Sequence, residues 1–222
     1  MFLFQPEILR YTLSAFSCQE IDTNEYWLVE NLDIRCWDGD HSFYTLNVAL
    51  PGLIAWGLLA PGFVLIFILK NRKFLLEKAM KIRFGFLLMG YKPHLYYWEF
   101  VIIYRKIFIV FISVFLSPVS HAIQGLVACL ILMIAYNVQS LYSPFTVNKL
   151  NKLESMSILT AATTIYCGLL YLTDDIGEGT KILLFALILI SNAVFLITWL
   201  IGILEAYAIL LSDKNPKISK FF

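Results

Sequence analysis

Charge is scarce in this chain. Asp, Glu, Lys and Arg make up 15% of its 222 residues, against about 25% in a soluble domain. Histidine and cysteine are few as well, at three and four residues. No HExxH pair, Gly-rich phosphate loop or Ser/His pair occurs, and no two aspartates share an apolar run. The usual supports of metal-dependent hydrolysis, nucleotide binding and intramembrane proteolysis are therefore missing. The chain reads as a non-enzyme with no cofactor. His41, His94 and His121 all stand at the borders of apolar runs.

Apolar residues take the place of charge. They form 59% of the chain, and the mean hydropathy is +0.75. A soluble fold of this size cannot hide that excess, because much of any folded surface stays exposed. Several runs approach or exceed the roughly 20 residues a helix needs to cross about 30 Å of hydrocarbon. The expected fold is an all-α polytopic membrane protein with five transmembrane helices, over about 43–69, 96–117, 122–141, 154–172 and 181–205. An interfacial amphipathic helix over about 72–90 joins the first two. Residues 1–42 form an acidic extracytoplasmic segment, 43–211 the membrane domain and 212–222 a cytoplasmic tail.

The distribution of charge sets the sidedness. In the first 44 residues eight acids face Arg10 and Arg35, a net −6. Glu7 and Arg10 interrupt the apolar opening and no basic residue precedes it, so it does not read as a signal peptide. It reads as a short amphipathic helix over about 6–16, with Ile8, Leu9, Leu13 and Phe16 on one side. Cys18 and Cys36 flank the acidic stretch, either as an extracytoplasmic disulfide or as two free thiols. Asp33, Asp38, Gly39, Asp40 and His41 match neither an EF-hand nor a zinc spacing, so a solvated turn is expected and no metal site. Pro51-Gly52 and Pro61-Gly62 should kink or loosen the first span, as a hinge or as a bent packing element.

Residues 70–92 reverse the sign, with seven basic residues against Glu77 and a net +6, which places them in the cytoplasm. Phe74, Leu75, Ala79, Ile82 and Phe86 recur at helical spacing. Arg72, Lys73, Lys78, Lys81 and Arg83 are candidates for lipid head-group binding, at about 1 kcal/mol each, or serve only as a topology signal. Their attachment to the membrane border argues against nucleic acid. The second span starts at Tyr96, Tyr97 and Trp98 and carries Glu99, Arg105 and Lys106 in its first three turns. Isolated charges at a helix centre cost about 2.5–3.5 kcal/mol each, so these three either form a network or snorkel.

Further along, Gln124, Asn137 and Gln139 are polar members of the third span, and Ser157, Ala161, Thr164 and Gly168 make a small-residue row on the fourth. Both patterns suit helix packing. Asp174, Asp175 and Glu178 occupy an outer turn, either a weak Ca²⁺ site or a plain turn. Lys149, Lys152, Lys214, Lys217 and Lys220 mark the inner side, with the N-terminus outside and the C-terminus inside.

The succession FQPEILRYTLSAFSC, IRCWDGDH, ALPGLIAWG, KIRFGFLLMGYKPHLYYWEFVIIYRKIFIVFISVF and LESMSILTAATTIYCGLLY resembles the C-terminal membrane region of large ciliate transmembrane proteins. The GYKP…YYWEF…YRK block is the most specific part. Those proteins often carry cysteine-rich furin- or EGF-like repeats upstream, and their membrane part looks like transient-receptor-potential regions. The resemblance implies an ion channel or channel subunit in the plasma or ciliary membrane of a eukaryote. It also implies either a stand-alone short member or the end of a longer product. Against a channel, the turns at 117–121 and 173–180 are too short for a pore helix and filter. A non-catalytic anchor or structural subunit is the alternative. In either case the expected partners are membrane lipids and other membrane subunits, or further copies of the chain.

Overall fold

The computed structural model describes residues 5–71, 90–116, 118, 120–172 and 176–214, with side chains of the last helix as far as 209. It is mostly helical. Its described residues belong to two compact units, Met1–Ile131 with Pro144–Thr146, and Leu132–Ser143 with Val147–Phe222. The proposed interfacial helix and its basic residues Arg72, Lys73, Lys78, Lys81 and Arg83 lie outside the described residues.

In the first unit, α1 (Gln5–Ser14) buries the Leu9 and Leu13 face that its apolar spacing marks out. The acidic stretch after it corrects the all-α expectation. It forms an antiparallel meander of β1 (Cys18–Asp22), β2 (Glu25–Leu28) and β3 (Asn31–Arg35). Asn24 turns β1 into β2 at φ 64°, a left-handed conformation that asparagine tolerates. Every residue of β3 is exposed, so the sheet has little apolar face to hold it. The disulfide joins Cys18 at the start of β1 to Cys36 just past β3, across 18 residues. By contrast the Arg35–Glu25 ion pair, at 3.1 Å and well exposed, adds little.

The first apolar helix, α2, runs unbroken from Gly39 to Lys70. Its two prolines loosen it without breaking it. The turns Thr45–Ala49 and Ile54–Leu59 widen to π geometry directly before Pro51 and Pro61. A proline ring clashes with the carbonyl four residues back, and a widened turn relieves that clash. Widening has a cost further along. Ala60 N–H bonds Ala55 O, so in the same register the partner of Trp56 O is Pro61, which has no N–H. The buried side chain of Gln5 supplies the missing donor, from Nε2 to Trp56 O at 2.8 Å. Beside it, an added Cβ at Gly57 would sit 3.3 Å from Leu9 Cδ2, so glycine sets how closely α1 approaches.

After a 3-10 turn at Pro93–Leu95, α3 (Trp98–Phe115) packs Phe100 and Ile103 on Ile68 of α2. Ser17 Oγ bonds Val114 O at 3.1 Å in a buried setting, so the start of the meander is fixed to the far end of α3. His41 Nδ1 accepts from Trp37 N–H, which makes Nε2 the donor to Ala15 O at 3.2 Å. The candidate turn residue thus serves as a brace.

α4 (His121–Tyr142) begins in the first unit and ends in the second. In the second unit α5 (Asn148–Tyr171) packs with α6 (Glu178–Lys214). Asn192 Nδ2 donates to Thr164 Oγ1 at 2.9 Å, within the small-residue row, while an added Cβ at Gly168 would meet nothing. Two boundaries differ from expectation. Lys149 and Lys152 lie on the first turns of α5, because the chain breaks earlier, at Ser143 with φ 41°. α6 continues to Lys214, since no Gly or Pro interrupts 205–214.

Among the described residues four helices are long and apolar enough to cross a membrane: Gly39–Lys70, His121–Tyr142, Asn148–Tyr171 and Glu178–Ile209. They fit an integral membrane protein. α3, with 18 residues and three charges, is not among them.

Replacing Gln5 with Leu should leave Trp56 O half-buried and unpaired and cost about 1–3 kcal/mol. The check is thermal unfolding in detergent, where an unchanged midpoint would refute the capping role. Reducing the disulfide should cost about 3 kcal/mol by the loop-closure relation. Hydrogen exchange should then accelerate in β1–β3 and leave α5 and α6 untouched.

Candidate functional site at the start of α3

The residues around GYKP and SPFT come together within the first unit. Gly90 takes φ +98°, a region that L side chains rarely adopt. That turn directs its carbonyl to Thr146, which donates both its N–H at 2.8 Å and its Oγ1 at 3.1 Å. Lys92 N–H returns a bond to Pro144 O at 2.8 Å. The result is a one-residue antiparallel bridge between Tyr91 and Phe145. Their rings stack with centroids 4.8 Å apart and planes 28° apart. Pro144 is fully buried under this clasp.

The clasp positions a charge. Tyr91 is 9% exposed, and its hydroxyl donates to Glu99 Oε2 at 2.6 Å. That distance lies in the range of charge-assisted O–H···O⁻ bonds. Glu99 is in the first turn of α3, where the helix dipole favours an anion. Pro93 suits the turn before it, since its missing N–H would be unsatisfied there in any case.

Among the described residues Glu99 forms no ion pair with Arg105 or Lys106. Helix geometry accounts for this: six and seven residues at 1.5 Å each put their Cα atoms roughly 9 and 10.5 Å further along the axis. Arg105 is half-buried and Lys106 exposed. Of the sulfur atoms, Cys18 and Cys36 are bonded to each other, and Cys129 and Cys167 form no disulfide. Among the described residues no three His, Cys, Asp or Glu gather as a metal site. A single sequence offers no signal that Tyr91 meets Phe145. The one local hint is a glycine immediately before an aromatic residue, with proline two positions later.

The Tyr91–Glu99 bond predicts a specific non-additivity. Tyr91→Phe and Glu99→Gln should each destabilise the fold, and the double variant should cost less than their sum by about 1–3 kcal/mol. Strict additivity in a double-mutant cycle would show that the bond contributes nothing.

Comparison with known proteins gives a distant likeness. No protein-family profile matches the chain, and no solved structure matches it. Cysteine repeat modular protein A of Toxoplasma gondii is 23% identical over 220 residues, which is 93% of this chain and 7% of that protein. The chain therefore spans about 7% of the length of this curated relative.

Proposed function

We propose that the chain is a non-catalytic, multi-pass membrane anchor, a subunit that couples a disulfide-stapled outer module to membrane helices. The observation that carries this reading is the direct bonding of the N-terminal module to helix backbone: Gln5 to Trp56 O and Ser17 to Val114 O. Such bonds transmit load from the meander to α2 and α3 without an intervening flexible linker. Exposed apolar side chains along α2 and α6, such as Phe63 and Leu204, suit lipid or neighbouring subunits. In this reading α3 is a fifth span, the N-terminus is outside and the C-terminus inside. The disulfide supports that orientation, because such bonds persist in oxidising compartments.

A transient-receptor-potential-like channel subunit is the second reading. Two observations favour it: the π turns of α2, a geometry frequent at functional sites, and the three charges of α3.

Reconstitution in planar bilayers separates the two. The anchor reading expects conductance equal to that of protein-free membranes, in wild type and in Glu99→Gln alike. Currents that change on Glu99→Gln or Arg105→Gln would replace it with the channel. A glycan-acceptor tag before α1 should be modified and one after α6 should not. The opposite pattern would overturn the orientation.

A further inference from the structure

A cleft of about 390 Å³ opens between α1, the β2–β3 connection and the last turn of α3. Its volume lies at the small end of ligand sites. Arg10 and Glu30 stand on its walls, with Ser14, Ser17 and Ser113 between them. Two features set it apart from an ordinary surface groove.

The first is that its opposite charges are unspent. Among the described residues neither Arg10 nor Glu30 makes an ion pair, although both line the same cleft. The second is the state of the hydroxyls. Each serine has already donated its proton to a backbone carbonyl: Ser14 to Tyr11 O, Ser17 to Val114 O and Ser113 to Val110 O. A serine hydroxyl has one donor and two acceptor lone pairs. Once the donor is used, only acceptors face the cleft. The lining therefore offers several oxygen acceptors, one carboxylate and one guanidinium.

We propose that this cleft binds a zwitterion that carries a primary ammonium and an oxyanion. The ammonium, with three N–H donors, satisfies the serine oxygens and Glu30, and the oxyanion takes the forked donors of Arg10. A quaternary ammonium has the same charge but no N–H to give, so it is discriminated against. The chemistry is shared by a phosphoethanolamine lipid head group and a free α-amino acid. The cleft lies at the end of α3, which is the level of head groups if α3 spans the bilayer. The proposal is independent of the choice between anchor and channel.

The test uses the full chain in nanodiscs of phosphatidylcholine, with the disulfide intact. Three soluble probes are titrated separately: glycerophosphoethanolamine, glycerophosphocholine and L-alanine. Saturable binding of glycerophosphoethanolamine, at least about tenfold tighter than the choline analogue, is expected, since a hydrogen bond to a charged group carries about that factor. Arg10→Gln and Glu30→Gln should each weaken it about tenfold. Both residues are exposed, so their variants should fold, and an unchanged melting midpoint checks this. Glycerophosphoethanolamine bound without alanine assigns the lipid source. Alanine bound alone, with loss in both variants, assigns a free amino acid. Equal binding of the choline and ethanolamine probes, no saturable binding of any probe, or wild-type affinity in both variants overturns the proposal.

Discussion

Backbone carbonyls in an apolar helix must find a donor, and here that requirement fixes how the N-terminus meets the membrane helices. Water is scarce around such a helix, so each freed group costs several kcal/mol. Pro61 frees Trp56 O, and the donor comes from Gln5, 51 residues earlier in the chain. The same device recurs. Ser17 reaches Val114 O and His41 reaches Ala15 O, while Asn71 turns back to Phe67 O at the end of α2. Among the described residues, polar side chains bond backbone more than they bond each other. A helix loosened by proline thereby becomes a docking surface.

A weak sheet can persist on such a base. β3 is fully exposed and the strands are four or five residues long, less than an isolated meander needs to stand alone. The disulfide restrains the unfolded chain, and the Ser17 and His41 bonds fasten the two ends of the module to helix. Removing either restraint leaves the other with too little apolar burial to compensate. The oxidised cysteines and the braces are complementary parts of one support.

The strongest periodic signals in the sequence correspond to real elements. The apolar runs became α2, α4, α5 and α6, and the Leu9–Leu13 stripe became the buried face of α1. Pro51 and Pro61 announced loosened turns, and the structure has them. The meander was not legible: Leu32 and Ile34 alternate with polar residues in β3, but over only five exposed residues, while β1 and β2 show no alternation and the acidic composition masks strand propensity. The clasp was not legible either. Tyr91 and Phe145 are distant in sequence, and only the fold brings Gly90 to Thr146. Cys18 and Cys36 gave two alternatives on paper, and geometry selects the bonded one.

The charges of α3 show how local bonds can replace a long-range network. A lone carboxylate at the centre of a membrane helix costs about 2.5–3.5 kcal/mol, an upper bound for the half-buried first-turn position of Glu99. A hydrogen bond to a charged group returns about 1.5–3, and the dipole at a helix N-terminus about 0.3–1. Glu99 has both, through Tyr91 and through its place in the first turn. The two terms together offset its burial, and no cation is required. Lys106, further along the helix, is exposed and long enough to reach polar surroundings. What holds the acid of α3 in place is therefore the aromatic clasp that precedes the helix. A change at Phe145 would be felt at Glu99 through the ring of Tyr91.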